Sequence, residues 1–128
     1  MRRRGLTCLA VLVALGAAVP CAASATTWSV SPNGSDANLG TSQFPFRTIG
    51  RAVATARGGD TILVSPGRYA EAVSLSDRDS GVTLRGVGDT RPVVDGAGQR
   101  SYGFDNVGAD RLTIENFEIT GQTVNGIY

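Results

Sequence analysis

Histidine and lysine are both missing from the 128 residues, and the twelve basic residues are all arginine. Without histidine there is no Ser-His-Asp triad and no His-containing zinc site. Without lysine there is no lysine base and no Schiff base. Cysteine occurs twice, at Cys8 and Cys21. Long apolar runs are also scarce: the longest, LTCLAVLVALGAAVP (Leu6–Pro20), falls short of the ~20 residues that span a bilayer.

That run sits between a basic start, MRRRG, and a small-residue tripeptide, Ala23-Ser24-Ala25. The three-part arrangement is that of a secretory signal peptide occupying residues 1–25, with cleavage expected after Ala25 and a secreted or extracellular product. Cys21 raises the alternative of a lipoprotein signal, but Pro20 stands where a small residue is expected. Removing the leader takes both cysteines and three arginines. Nine arginines then face eleven carboxylates, a net charge of −2. The exported chain has neither disulfide nor thiol chemistry. It also lacks the basic patch that marks a nucleic-acid partner, and no membrane span is expected after cleavage.

The remaining length suits one domain. Ile49, Ala52, Val53 and Ala56 recur with helical spacing after Thr48, a good N-cap, and Gly58-Gly59 offers a stop. This predicts a helix of about ten residues, too short to be stable alone. Its small-residue stripe must lie close against something, and the sharper reading is a helix covering the end of a stack of strands.

After Asp60 the pattern changes to short β-rich runs separated by Gly, Asp and Asn. GVTLRG (Gly81–Gly86) aligns with RLTIEN (Arg111–Asn116), VVDG (Val93–Gly96) with EITG (Glu118–Gly121), and Gly103 with Gly126, a step of 23. TILV (Thr61–Val64) is matched to the VVDG strand. Val82, Leu84, Leu112 and Ile114 are expected inside, with Thr83, Arg85, Thr113 and Glu115 outside. Gly86 and Asn116 are expected to share a left-handed corner. Strands that recur at this interval and pair with their own copies form a parallel solenoid. The alternative, an antiparallel sandwich, does not predict the register.

The segment WSVSPNGSDANLGTSQFPFRTIGRAVATARGGDTILVSPGRYAE resembles the N-terminus of secreted right-handed parallel β-helix proteins of the pectate-lyase-like superfamily. The motif elements are a strand ending in VSPNGSD, then PF-R-T-I, a small-residue helix, GDTI and PG-x-Y-x-E. The resemblance implies an all-β, right-handed parallel β-helix solenoid with a short N-terminal capping helix, in proteins that often act on acidic polysaccharides. Residues 26–59 would be the entering strand, loop and helix, with Phe44 and Phe46 plugging the first coil. Residues 60–128 would be the first coils, incomplete at the C-terminus. The chain is thus read as the N-terminal part of a longer polysaccharide lyase or hydrolase, or of a non-catalytic solenoid that binds surface glycans. Self-association through the open last coil is an expected partner contact.

Few residues offer chemistry. Asn33, Asp36 and Asn38 place oxygen donors at near-alternate spacing, which makes calcium a candidate. An Asx-rich structural turn is the competing reading. Arg85, facing outward, is the candidate substrate contact, although a surface ion pair with Glu115 one coil on competes for it. Asp77 and Asp79 flank Arg78 in a turn. Asp95, Asp105 and Glu115 fall on different strands, and nothing in their spacing brings them to one face. No catalytic residue can be named from the sequence.

Overall fold

Alternation of apolar and polar residues dictates the strands. In a computed structural model, which describes residues 24–127, β1 (Thr27–Val30), β2 (Thr61–Val64), β5 (Thr83–Gly86) and β7 (Thr113–Glu115) pair side by side, all parallel. Trp28, Val30, Ile62, Val64, Val82 and Leu84 are buried. After β2, β5 and β7 the chain visits a second parallel sheet, built from β3 (Arg68–Tyr69), β4 (Val73–Ser76), β6 (Val93–Val107) and β8 (Glu118–Ile127). The first part of β6 pairs with β3 and its last part with β4, so this long strand serves two faces. Its register against β8 shifts between Asp95 and Tyr102, where Ala97 and Gly98 take positive φ and bend the chain.

The registers test the repeat. Val82-to-Leu112 spacing holds, since Leu84 pairs with Ile114 and Arg85 with Glu115. Val93 pairs with Glu118, and Tyr102 with Asn125, which sets Gly103 beside Gly126. TILV does not belong with VVDG: Thr61 pairs with Thr83 and Val64 with Gly86. Four β-branched or apolar residues suit either strand, and only the length of the intervening connections separates the two choices.

Helix α1 (Ile49–Thr55) buries Ile49, Ala52 and Val53 against β1, β2 and β4, with Ala56 buried just beyond. It is shorter than its sequence pattern predicts. Ala56 already has extended backbone and its amide closes on Ala52, so the helix ends before the glycine pair. The helix start is held by two carboxylates. Asp36 accepts hydrogen bonds from the Arg47 and Thr48 amides, at 3.0 and 2.9 Å, and from the Thr48 hydroxyl. Glu71 accepts from the Ile49 and Gly50 amides, both at 2.8 Å. Thr48 in turn caps Arg51 at 3.2 Å, as its sequence position predicts. The four amides that the helix start leaves unpaired, Thr48 to Arg51, are thus satisfied by side chains, as is that of Arg47 just before them.

The loop from Ser31 to Arg47 runs back along β1. The Phe46 amide donates to Ser29 and the Ser31 amide to Phe46, each at 2.9 Å. Phe46 is buried and stacks on Trp28, ring centres 6.0 Å apart, and the Arg51 guanidinium lies over its ring at 5.6 Å. Phe44, expected beside it in the core, is 54% exposed. Phe44 lies in a bend, whereas Phe46 forms a parallel bridge with Val30 of β1, so only the second ring is carried into the core.

Asp60 locks these parts together. It is 2% exposed and accepts hydrogen bonds from the Thr26 amide (2.8 Å), the Trp28 indole (3.0 Å) and the Arg57 amide (2.9 Å). A buried carboxylate is tolerated when its lone pairs are used in this way.

Candidate functional site

Arg85 stands on β5 with its side chain outward, one position before Gly86. In the neighbouring strand Glu115 occupies the matching rung, and the Arg85 Nε donates to its carboxylate. Both side chains are about half exposed. An ion pair so wet contributes about 0–1 kcal/mol, which makes it a poor stability device and leaves both groups open to other partners.

The corner after these strands is built by Asn116 and Gly86. Asn116 has φ 62, the left-handed corner predicted for it, and its amide nitrogen donates to the Gly86 carbonyl at 2.8 Å. Gly86 itself is not left-handed, which corrects the expectation of a shared conformation. Its glycine is required for space: an added Cβ would run into the Asn116 carbonyl and come within 2.7 Å of Pro92. Beyond the corner, Phe117 packs edge-on against the buried Phe104, ring centres 5.4 Å apart.

These residues enclose a groove of about 510 Å³ lined by Arg85, Gly86, Arg91, Glu115, Asn116 and Phe117. Arg91 comes from the connection into β6, and no described residue pairs with its guanidinium. The groove therefore offers two guanidinium groups, one carboxylate and an aromatic side chain. It can hold a polar ligand by hydrogen bonds while the ring meets an apolar face. One carboxylate alone cannot carry out the two-carboxylate chemistry of glycoside cleavage.

The other predicted groups lie apart from it. Both oxygens of Asp36 are committed to Arg47 and Thr48. Burial pushes the Asp36 carboxyl upward, but the hydrogen bonds from Thr48 and Arg47 and the charge of Arg51 outweigh it and hold it below its ordinary value. The Asn38 side chain donates to the Pro45 carbonyl at 2.9 Å, and the Asn33 amide binds the Ser31 hydroxyl. Asp36 and Asn38 thus tie the loop to itself through their side chains and Asn33 through its backbone, and an ion there would share the Asp36 oxygens with their present donors. Among the described residues no three His, Cys, Asp or Glu side chains gather to hold a metal ion.

Asp79 is buried and closes a 3-10 turn by accepting from the Ser76 amide and hydroxyl, while Asp77 faces solvent. Asp95 accepts from the Ala97 amide at 2.8 Å and pairs with Arg68, which together hold it below the usual carboxylate range. Sequence reasoning assigned no role to Asp60, Glu71 or Arg91. The first two stand in the GDTI and Y-x-E elements, so the motif positions carried a signal. Arg91 had none, because its place in the groove depends on how the β5–β6 connection folds over.

Comparison with known proteins gives the chain a family. The family described as "Protein of unknown function (DUF1565)" matches residues 32–109. "Uncharacterized protein YwoF" of Bacillus subtilis (strain 168) is 28% identical over 114 residues, covering 77% of this chain and 24% of that protein. The chain thus spans about a quarter of the length of that relative. A structure titled "Glycoside hydrolase" is 31% identical over 56% of this chain and 15% of its own, with a TM-score of 0.51. Another, "The complex structure of XylC with xylose", is 36% identical over 55% of this chain and 12% of its own, at a TM-score of 0.48. With more than half of its residues inside the family match, the chain belongs to the DUF1565 family.

Proposed function

We propose that this chain forms the first turns of a right-handed parallel β-helix in an exported protein that binds polysaccharide, with bond cleavage, lyase-like or hydrolytic, carried out elsewhere in a longer protein. The leader-like residues 1–25 support export; apart from Ser24 and Ala25 they lie outside the described residues. Among the described residues no helix is long and apolar enough to cross a membrane. The parallel strand registers and the likeness to a glycoside hydrolase support the architecture and the ligand class.

The observation that carries the reading is the groove. Its arginines and carboxylate are exposed, their ion pair contributes little to stability, and they stand beside an aromatic side chain, which is the mixture a sugar ring calls for. The absence of His and Lys and the separation of the carboxylates argue for a binding role in this part of the chain.

The test is affinity electrophoresis of the secreted protein through gels containing pectate, alginate, chondroitin or xylan, with calcium and with a chelator. Calcium is included because Asn33, Asp36 and Asn38 remain its candidate donors. Retardation by at least one polysaccharide, weakened about tenfold by Arg91→Ala, is the expected result, the size of one lost charge-assisted hydrogen bond. Migration unaffected by every polysaccharide would overturn the proposal.

A further inference from the structure

The outer face of the first sheet carries a feature that the groove does not explain. Thr27 pairs with Thr61, Thr61 with Thr83, and Thr83 with Thr113. All four precede a core residue and point away from it, so their side chains form one row across four parallel strands. No described residue bonds any of the four hydroxyls. The row beside it runs Ser29, Leu63, Arg85, Glu115. Neighbouring strands lie about 4.8 Å apart, so the threonine row spans ~14 Å with evenly repeated donors and acceptors.

We infer that this threonine ladder is a track along which a neutral, extended sugar chain lies, leading into the Arg85–Arg91 groove. The inference rests on the groove's reading as a glycan site and names the substrate class. Three observations select the occupant. The ladder is continuous with the groove, because Thr83 and Thr113 stand two residues before Arg85 and Glu115 on the same strands. Its first two rungs, with Ser29 and Leu63 beside them, carry no charge, so they offer nothing to the carboxylates of an acidic chain, and the first cation, Arg85, stands beside the third rung where the groove begins. The strand separation is close to the advance of one ring along an extended β-linked chain, so each ring can meet one hydroxyl and one methyl group. Leu63, partly exposed, gives an apolar contact for a ring face. The contacts are those of a binding surface: hydroxyls exchange hydrogen bonds with the sugar and no bond is broken.

The experiment is titration calorimetry of the secreted protein with neutral xylo-oligosaccharides of increasing length, backed by electrophoresis in soluble xylan. Affinity should tighten with length. The double variant Thr61→Val, Thr83→Val removes two hydroxyls and keeps β-branched strand residues. It should weaken the longer ligands about tenfold, the worth of two neutral hydrogen bonds, and leave the shortest unchanged. Thr61→Ser, Thr83→Ser keeps the hydroxyls and should bind like the parent. Arg91→Ala should weaken every length alike. If the valine variant binds long oligosaccharides as the parent does while Arg91→Ala is impaired, the track is wrong and the groove stands. A parent that binds none of these neutral ligands overturns the track, while the groove falls only if pectate, alginate and chondroitin also leave its migration unchanged.

Discussion

The two ends of the described chain bury their apolar residues to very different degrees. Around the first strand, Trp28, Val30, Phe46, Ile49, Ile62 and Val64 are all buried, and the polar groups among them are fixed by Asp36, Asp60 and Glu71. Around β7 and β8, Leu112, Ile114, Phe117 and Ile119 pack on the core yet stay partly open, and Val124 and Ile127 are exposed. Inward residues of the two regions occupy equivalent rungs, since Ile62, Leu84 and Ile114 follow one another in register. In such an arrangement a strand's burial depends on what lies on both sides of it, and the same residue type contributes more where it is sandwiched.

The sharpest way to break this comparison is at Asp60. Asp60→Ala leaves the Trp28 indole and two backbone amides without an acceptor in a buried place. A loss of about 3–5 kcal/mol is expected, from several charge-assisted bonds broken on one side only. Asp60→Asn keeps part of the set and should lose less. Urea denaturation of both variants checks it, and a change below about 1 kcal/mol for the alanine variant would mean that the network does not hold the first region together.

Next comes a matched pair in the core. Ile62→Ala, in a fully buried site, is expected to cost about 3–4 kcal/mol, within the range for emptying a packed site. Ile114→Ala, two rungs on and partly open, should cost less than half of that, because water already reaches its surroundings. Equal losses in the same denaturation assay would show that the second region is as well packed as the first.

Much of this was legible beforehand, and what was not has physical causes. The inside–outside pattern of β5 and β7 and the Gly86–Asn116 alignment follow from a period of two and from the few residues that tolerate a corner. The role of TILV was not legible, because a short apolar run carries no mark of the sheet it will join. Phe44 and Phe46 look alike in sequence, yet one is in the core and one in solvent, a choice set by the bend at Phe44 and the bridge that pairs Phe46 with Val30. Of the site, Arg85 and its pairing with Glu115 could be read from strand alternation. Arg91 could not, since it reaches the groove through a connection without periodicity.

Asn116 sharpens the comparison at the corner between the two sheets. Its left-handed backbone and its bond to Gly86 bind the second region to the first. Asn116→Gly keeps the backbone conformation but loses the bond, a cost of about 1 kcal/mol. Asn116→Val loses the bond and forces a β-branched residue into φ > 0, which adds about 1–3 kcal/mol. Thermal melts of the two variants should therefore separate clearly, and coincident melting temperatures would count against the strained corner.

The smallest effect lies within the first region, where two carboxylates hold one helix start yet titrate in opposite directions. Burial raises Glu71, more than its bonds from Gly50 and Ile49 lower it, and the negative charge of Asp36 raises it further. Asp36 is instead held down by its donors, against a weaker effect of burial than Glu71 feels. The lowered group contributes stability that is present above the ordinary Asp value and lost as pH falls through its folded value. The raised group works the other way: its contribution is present below the ordinary Glu value and lost as pH rises through its folded one. Carboxyl NMR titration should place the Glu71 midpoint above the Asp36 midpoint by more than the two residue types differ in free peptides. Asp36→Asn removes one negative charge beside Glu71, so the Glu71 midpoint should move down in that variant. A Glu71 midpoint that stays in place would show that the two carboxylates act on the helix independently, each through its own pair of amides.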